Sequence, residues 1–221
     1  MVLINNCKIC GSDTESFYSD ALDVTYHHCN NCEFIFKNRN ELLNEKEELD
    51  RYLLHENSIE DEGYLNFFRK FLDKAVFKHD LIGSKALDFG SGPEPVLKHL
   101  LEAEYNMEVD IYDLYFSPKK IYQNKEYDLI VSTEVVEHLI DPLKYFRLFK
   151  KHLKDGGHLA IMTLFHNNNK DRFLNWHYIH DPSHISFFSS TTMKYIAQTI
   201  ELELTYVDDY RYTVFEKGTI R

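Results

Sequence analysis

From Lys85 onward, the sequence alternates short apolar stretches with amphipathic ones. The stretches that predict strands are 85–89, 107–112, 128–132 and 157–163. Those that predict helices are 95–102, a segment opened by Asp141-Pro142, and 190–200, and the KDGG stretch at 154–157 predicts a helix stop and turn. Such alternation favours an α/β fold with a doubly wound, mainly parallel sheet, in which ligands bind at the carboxyl ends of the strands. Two last stretches, 202–207 and 210–216, predict a terminal antiparallel pair.

The stretch KALDFGSGPEP, residues 85–95, is a predicted strand that runs into a glycine turn. Gly90 and Gly92 would allow the backbone to approach a ligand closely. Asp113 ends the next predicted strand, 23 residues after Gly90, where a carboxylate holds a ribose diol in folds of this kind. The alternative interpretation of the turn is a tight strand-to-helix connection without a ligand.

The residues that follow the glycines argue against a dinucleotide. A pyrophosphate at a helix start needs free N–H groups and a positive dipole end. Pro93 and Pro95 remove two donors, and Glu94 adds a negative charge. The turn therefore favours a nucleoside ligand that has no phosphate and carries a positive centre.

Four cysteines form two pairs near the start of the chain, with the spacing C-x2-C-x18-C-x2-C. Cys7, Cys10, Cys29 and Cys32 would present four thiolates from two tight turns, a set and spacing typical of tetrahedral zinc sites. A segment of fewer than ~40 residues cannot build a sufficient apolar core, so the metal would supply folding energy. Two disulfides or unrelated thiols are the alternatives. We predict a structural Zn²⁺ site, since four sulfur ligands leave no open position for water.

The composition limits the class of partner. The net charge is −11, which disfavours nucleic acid because non-specific affinity for it comes from Lys and Arg that neutralise phosphates. The first residues lack a basic region followed by an apolar stretch, and no run approaches the ~18 apolar residues of a membrane helix. We expect a soluble, cytoplasmic protein without a membrane partner, and the sequence indicates no oligomeric state.

The chain divides into three predicted regions. Residues 1–40 would form a zinc ribbon that carries the four cysteines, 41–80 a helical connector or lid, and 81–221 the α/β core. Within the connector, aromatic and aliphatic residues recur at helical spacing over 60–78, which predicts an amphipathic helix packed on the sheet.

Five motifs occur together and in order: LDFGSGPEP, YDLYFSP, YDLIVSTEVVEHLIDP, LKDGGHLAIMT and WHYIHDPSHISFFS. With them, residues 50–205 resemble the class I S-adenosylmethionine-dependent methyltransferases. The resemblance implies a Rossmann-like fold and S-adenosylmethionine as the cofactor, whose sulfonium is the positive centre that the glycine turn favours. It also implies a set of cofactor-binding residues: Asp88, Gly90, Ser91 and Gly92 around the methionyl part, Asp113 on the ribose, and Ser132, Thr133 and Glu134 on the other side.

One departure from the resemblance concerns the sheet. Only 14 residues separate Asp113 from Asp128, too few for the helix, strand and helix that usually lie there. We therefore predict a shortened sheet without its usual third strand. The residue that normally reads the adenine amino group has no counterpart, and Leu114, Tyr115 or Phe116 would cover the ring instead.

The stretch WHYIHDPSHISFFS, residues 176–189, follows a predicted strand and should lie over the carboxyl edge of the sheet. Some zinc-domain-bearing sugar C-methyltransferases carry a glutamate–histidine pair at the matching place. By that resemblance His184 is the first candidate for a general base, with Asp181 or His180 as orienting partners. The full set of candidate catalytic residues is His184, His180, Asp181, His138 and Tyr178. The alternatives are a structural turn at 181–183 and a second metal site formed by His177, His180 and His184.

A lid over the cofactor is a further prediction, carried by Tyr52, His55 and Asn57, because RYLLHEN resembles the segment that closes over the cofactor in related enzymes. A solvated helix end is the competing interpretation.

Three functions remain open on the sequence alone. The first is methyl transfer to a small-molecule or saccharide acceptor, favoured by the acidic charge and the histidine-aromatic loop. The second is modification of RNA or protein docked on the ribbon, and the third is an inactive, cofactor-binding homologue.

Overall fold

The computed structural model describes residues 6–53, 59–76, 81 and 83–219. Two sheets are present, and their strands are β1 (Glu15–Ser19), β2 (Val24–His28), β3 (Ile35–Lys37), β4 (Lys85–Phe89), β5 (Glu108–Tyr112), β6 (Tyr127–Thr133), β7 (Leu153–Met162), β8 (Ser186–Phe187), β9 (Glu203–Val207) and β10 (Tyr212–Glu216). The helices are α1 (Glu45–Tyr52), α2 (Glu62–Ala75), α3 (Val96–Tyr105), α4 (Pro142–His152), α5 (Lys170–Leu174) and α6 (Ser190–Ile200).

The large sheet has six strands in the order β5-β4-β6-β7-β10-β9. Strands β4 to β7 pair in parallel, and β10 is antiparallel to both β7 and β9. This arrangement confirms the predicted mainly parallel sheet and its terminal antiparallel pair. Strand β5 lies at the edge, and residues 113–126, all of them described, form turns and one isolated bridge. The prediction that the third strand is missing is therefore confirmed.

Helices cover both faces of this sheet because its strands alternate apolar side chains between them. On one face, α2 and α3 pack against residues such as Leu129, Val131 and Met162. On the other, α4 and α6 pack against residues such as Ile130 and Ile161. This doubly covered arrangement leaves the carboxyl ends of β4, β5 and β6 as the place where loops can form a site.

The KDGG stretch departs from its prediction. Strand β7 already begins at Leu153, so residues 154–157 are part of the strand rather than a turn before it. The reason is a tertiary contact: Gly156 donates its N–H to the Lys217 carbonyl, and Lys217 donates to the Gly157 carbonyl. Glycine is needed at 157 because a Cβ there would lie 2.8 Å from the Lys154 carbonyl oxygen, and Gly156 has a left-handed φ of +74°.

The small sheet joins the N-terminal strands to the loop before α6. Its order is β1-β2-β3-β8, and β8 comes from the loop between β7 and α6 rather than from the cysteine-containing segment. Ile35 pairs with Phe187 across β3 and β8. A shared apolar cluster, which includes Tyr26, Tyr178 and Phe187, fills the space beneath it. The loop that carries the predicted catalytic residues is thus anchored on the N-terminal hairpin, while the division at residues 40 and 80 stays a prediction.

In the part of the chain that the structure describes, no helix has both the length and the hydropathy of a bilayer-crossing segment.

Candidate functional site

A cavity of about 800 Å³ opens at the carboxyl ends of β4, β5 and β6. Its lining includes the glycine turn after β4, residues 113–116 after β5, residues 133–135 and 138–141 after β6, and parts of α1 and α2. This is the edge of the sheet where the topology predicts a ligand, and the volume is that of a small-molecule site.

The glycine turn is shaped by close contact with the end of β6. Gly90 has φ +88°, and a Cβ at this position would lie 2.2 Å from Cγ2 of Val135. Gly92 has φ +69°, with open space where a Cβ would be. The N–H groups of Gly90 and Ser91 both donate to the Tyr112 carbonyl, which ties the turn to β5. Packing alone therefore requires glycine at 90, while Gly92 is required only by its left-handed backbone.

Asp113 closes the turn from the end of β5. Its Oδ2 accepts the Gly92 N–H at 3.0 Å, and its Oδ1 accepts the N–H groups of Tyr115 and Phe116 at 2.9 and 3.0 Å. Asp113 lines the cavity, and an ionised carboxylate has about four acceptor positions. The side chain thus organises the turn and retains capacity for a diol.

Asp88 lies at the buried end of the cavity, near the end of β4. It is 1% exposed, and among the described residues its Oδ1 has no hydrogen-bond partner. Burial raises its pKa to about 7, the negative charge of Asp113 adds to the shift, and Lys98 opposes it. A buried carboxyl with one unpartnered oxygen favours a cationic ligand.

Glu94 has a role that the sequence did not indicate. Its Oε2 accepts the N–H of Ile59 at 3.1 Å. The side chain therefore links the chain just before α3 to the residues before α2. Glu94 also lines the cavity. It precedes the N-cap residue of α3, Pro95, which is in keeping with the argument against a dinucleotide.

The side of the cavity after β5 carries an exposed apolar residue and two aromatic ones. Leu114 is 61% exposed, and Tyr115 donates its hydroxyl to Oε2 of Glu48 at 3.0 Å. Tyr52 of α1 packs on Tyr115, with 5.6 Å between ring centroids. Tyr52 is therefore at the cavity, as the predicted lid requires, whereas His55 and Asn57 lie outside the described residues.

The end of β6 divides into a buried and a cavity-lining part. Ser132 is fully buried and is not among the lining residues, while Thr133 and Glu134 line the cavity. Glu134 has φ +53°, a left-handed conformation that turns the chain sharply at the end of the strand. After Val135, residues Val136–His138 form one turn of 3₁₀ helix.

A buried network lies beneath this turn. The Tyr178 hydroxyl donates to Oε1 of Glu137 and lies 3.3 Å from Oε2 of Glu134. Burial raises the pKa of both carboxyls, and the charge of Glu134 raises that of Glu137 further. Tyr178 is only 6% exposed and is not in the cavity lining, so it positions other groups rather than facing a ligand.

Two histidines form the far wall of the cavity. His138 and His184 both line it, and their ring centroids are 4.9 Å apart. Nδ1 of His138 is 3.0 Å from the Ser183 carbonyl, and Nδ1 of His184 is 2.8 Å from the Tyr178 carbonyl. Since a carbonyl only accepts, each ring carries its proton on Nδ1, and Nε2 is the basic nitrogen of the neutral ring.

Of the two predicted orienting partners of His184, Asp181 lines the cavity and His180 does not. Asp181 lines the cavity, but its carboxylate is held by Arg51 at 3.0 Å and by the backbone and hydroxyl of Ser183. These contacts hold its pKa well below its usual range, against the opposing effect of burial. His180 is exposed and lies outside the lining. The hydrogen bond that orients the His184 ring comes from a group not predicted for this role, the carbonyl of Tyr178.

Sequence reasoning missed the contribution of the helices before the core. Glu48 of α1 and Tyr64, Phe67 and Phe68 of α2 all line the cavity. The aromatic stripe of α2 indicated a helix packed on the sheet, and α2 does pack there. What the helical spacing could not indicate is that the same stripe continues past the end of the sheet into the cavity.

The four cysteines converge in space. Their sulfur atoms all lie within 4.8 Å of one another, with 3.4 Å between Cys7 and Cys32 and between Cys10 and Cys29. These separations exceed an S–S bond of about 2.05 Å, and all four are free thiols. A tetrahedral zinc ion with Zn–S bonds of about 2.3 Å needs sulfur atoms about 3.8 Å apart. The cysteines therefore fit a metal site with four sulfur ligands.

Comparison with known proteins gives a consistent result. A family model described as a methyltransferase domain matches residues 33–207, most of the chain. The ubiquinone biosynthesis O-methyltransferase of Aliivibrio fischeri (strain ATCC 700601 / ES114) is 36% identical over 90 residues, which are 40% of this chain and 36% of that protein. The chain thus spans about a third of the length of this curated relative.

Solved structures match over a longer stretch. A Bacillus halodurans C-125 protein assigned as a methyltransferase has a TM-score of 0.51 and 13% identity, covering 68% of this chain and 98% of the other. The mitomycin 7-O-methyltransferase has a TM-score of 0.52 and 11% identity, covering 72% and 59%. At such identities the likeness concerns the fold alone, and it confirms the predicted Rossmann-like α/β architecture.

Proposed function

Because this chain belongs to the methyltransferase-domain family, we propose that it transfers a methyl group from S-adenosylmethionine to a small-molecule acceptor. The observation that carries the proposal is one cavity lined both by Asp88 and the glycine turn, which we call its cofactor end, and by His138 and His184, which we call its acceptor end. A cofactor and an acceptor could thus lie side by side, and methyl transfer gains much of its rate from such alignment.

The residues of the first end fit the proposed cofactor. When bound, S-adenosylmethionine supplies an electrophilic methyl group on a positively charged sulfur. The unpartnered Oδ1 of Asp88 suits a cationic group, and the acceptor capacity of Asp113 suits a ribose diol. Leu114, Tyr115 and Phe116 line the same side and suit an adenine ring, and Ser91, Thr133 and Glu134 complete the proposed set.

The second end supports an acceptor that loses a proton. His184 is our candidate for the base, since its Nδ1 hydrogen bond to the Tyr178 carbonyl leaves Nε2 as the nitrogen that takes a proton. The His138 ring packs against the His184 ring. Beneath them, the Tyr178 hydroxyl contacts Glu134 and Glu137 and stabilises this part of the cavity wall. Asp181 holds Arg51 of α1 over this end rather than orienting the imidazole.

Two observations favour a small acceptor over a macromolecule. Aromatic side chains from α1 and α2 line much of the cavity, as is usual for compact ligands. The net charge of −11 disfavours RNA. The Aliivibrio relative is an O-methyltransferase of ubiquinone biosynthesis, which favours a hydroxyl group as the acceptor, and a saccharide remains the candidate from the sequence.

The cysteine cluster supports a second, structural proposal. We infer that Cys7, Cys10, Cys29 and Cys32 bind Zn²⁺, which would stabilise the hairpin on which β8 is anchored. Four thiolates leave no coordination place for a substrate, so the ion would act on the fold rather than on the reaction.

The proposal is tested by calorimetry followed by a transfer assay. Binding of S-adenosylmethionine and its product with micromolar affinity, and label transfer from methyl-labelled cofactor to a phenolic or saccharide acceptor, are the expected results. Folded protein that binds neither molecule would refute the proposal. Binding without transfer to any acceptor class would favour an inactive homologue, and label found only in RNA or protein would favour the macromolecular alternative.

A further inference from the structure

Three potential ligand atoms converge at the acceptor end of the cavity. One atom each from Glu137, His138 and His184 lies within 4.8 Å of the other two. This group differs from the site considered from the sequence, which combined His184 with His177 and His180. Both of those side chains are exposed and are absent from the cavity lining.

Glu137 supplies an independent reason to expect a cation. Its side chain is fully buried, and Oε2 has no hydrogen-bond partner among the described residues. The other oxygen, Oε1, accepts from the Tyr178 hydroxyl. A buried carboxylate oxygen without a partner is costly unless a cation or donor pairs with it. A second acid lies beside it, since the Tyr178 hydroxyl also contacts Glu134, whose Oε1 is likewise buried without a partner among the described residues. Two neighbouring buried carboxyls give a further reason to expect a cation.

The two imidazoles are oriented in the way that metal-binding histidines usually are. Nδ1 of His138 donates to the Ser183 carbonyl, and Nδ1 of His184 donates to the Tyr178 carbonyl. Such backbone bonds fix the ring plane and the tautomer and make Nε2 more basic. Tyr178 acts on two members of the group, on Glu137 through its hydroxyl and on His184 through its carbonyl.

Backbone hydrogen bonds hold the group together across the sequence. The left-handed residue Glu134 follows β6, and the 3₁₀ turn after it places His138 in the cavity lining with the buried Glu137 directly before it in the chain. The Ile185 N–H then donates to the Glu137 carbonyl at 2.8 Å, and the Ser186 hydroxyl donates to the Leu139 carbonyl at 2.7 Å. Segments 47 residues apart are thereby fixed side by side, as a preformed site requires.

We propose that Glu137, His138 and His184 bind a divalent first-row transition cation that holds an oxygen atom of the acceptor. Two imidazoles and one carboxylate suit such ions better than Mg²⁺ or Ca²⁺, which prefer oxygen ligands alone. Three protein ligands leave positions open toward the cavity. The inference rests on the proposed function, but it changes the part of His184 from base to ligand. A hydroxyl on the cation has a lowered pKa and releases its proton to solvent.

Manganese is the probe that separates this site from the cysteines, since thiolates favour softer ions. With the cysteine site loaded with zinc, titration of the full chain with Mn²⁺, followed by the loss of the free-ion electron paramagnetic resonance signal, should show one bound ion. Removing a group that only hydrogen-bonds a metal ligand typically weakens metal binding by about 10–100-fold. His138→Ala and His184→Ala each remove a proposed ligand itself, so each should weaken Mn²⁺ binding by at least that factor. His177→Ala, an exposed imidazole of the same loop, should leave Mn²⁺ binding unchanged.

Glu137→Gln keeps the size of the buried side chain and removes its charge. It should also weaken Mn²⁺ binding by at least about tenfold while S-adenosylhomocysteine still binds, which shows that the variant is folded. Wild-type protein that binds no Mn²⁺, or His184→Ala protein that binds it as well as wild type, would overturn the proposed site.

The cation site and the proposed function can fail separately. Full methyl transfer after chelation, with zinc retained by the cysteines, would overturn the cation while leaving methyl transfer in place. Mn²⁺ binding that needs all three residues, in a protein that binds no S-adenosylmethionine, would leave the cation site standing and refute the function.

Discussion

The two ends of the cavity are built in different ways. At the cofactor end, the polar groups are backbone N–H groups and two aspartates that stand directly at the ends of β4 and β5. At the acceptor end, the groups come from the turn after β6 and from the loop before α6, and that loop is held in place by pairing of β3 with β8. The first end is therefore a product of the sheet, whereas the second depends on the N-terminal hairpin as well.

Loss of the zinc ligands should have the largest effect and should act on one end only. Cys32→Ser removes a fully buried thiol, and structural zinc contributes about 10–16 kcal/mol to folding in small zinc peptides. We expect loss of bound metal and of methyl transfer, because β8 loses its partner strand, while the affinity for S-adenosylhomocysteine falls by less than about fivefold, ~1 kcal/mol. Metal analysis, calorimetry and the transfer assay measure the three quantities.

Glu15→Ala is the control for this variant, because it changes an exposed residue of the same hairpin. If Cys32→Ser lost cofactor binding and transfer together, the two ends would not be independent, and the comparison drawn above would be wrong.

Gly90→Ala tests the cofactor end by itself. The added Cβ would lie 2.2 Å from the Val135 side chain, on a backbone with φ +88°. Overpacking costs about 1–3 kcal/mol, and the left-handed backbone adds about 1 kcal/mol or more. Affinity for S-adenosylmethionine should therefore fall by about 100-fold, as measured by calorimetry, with zinc content unchanged. Gly218→Ala, where no atom lies within 4 Å of the added Cβ, should bind like wild type.

How far the sequence predicted each end follows from the same difference. The strands, the missing third strand, and Gly90 and Asp113 were predictable, because each depends on a short pattern with a local physical cause. The carbonyl of Tyr178 as the partner of His184 was not, since no local pattern shows which backbone group a distant ring will meet. Nor was Glu48 at the cavity, because most residues of α1 are charged and nothing in their order shows which carboxylate faces a ligand. The start of β7 was missed because tertiary pairing with Lys217 extends it.

Tyr178→Phe would sharpen the comparison at the acceptor end. The change deletes a hydroxyl that contacts both Glu134 and Glu137, and an unsatisfied buried group costs about 1–3 kcal/mol. We expect the transfer rate to fall by about 5–150-fold, while cofactor affinity stays within about threefold of wild type. Tyr18→Phe, an exposed residue of the hairpin, is the matched control. A large loss of cofactor affinity in Tyr178→Phe would show that the hydroxyl supports the cofactor end rather than the acceptor end, and would contradict this prediction.

The pH dependence of cofactor binding reports on Asp88. Burial raises its pKa to about 7, so the carboxyl is ionised above that pH and becomes protonated below it. A cationic ligand prefers the ionised form, so affinity for S-adenosylmethionine should be highest above pH 7 and fall up to about tenfold per pH unit below it. Calorimetry from about pH 5.5 to 8.5 should also detect proton release near pH 7. Asp88→Asn should bind weakly and lose this pH dependence, whereas Asp73→Asn, an exposed residue of α2, should retain it.

The smallest expected effect is that of Glu94, whose charge first distinguished this glycine turn from a phosphate-binding one. Its structural contact is a single hydrogen bond from the Ile59 N–H, which contributes about 0.5–1.5 kcal/mol at most. Glu94→Ala should therefore lower cofactor affinity by no more than about tenfold, and Glu94→Gln, which keeps an acceptor oxygen, should restore most of it. If Glu94→Gln bound as weakly as Glu94→Ala, the charge itself would matter, and Glu94 would act on the cationic ligand directly rather than through the chain segment before α2.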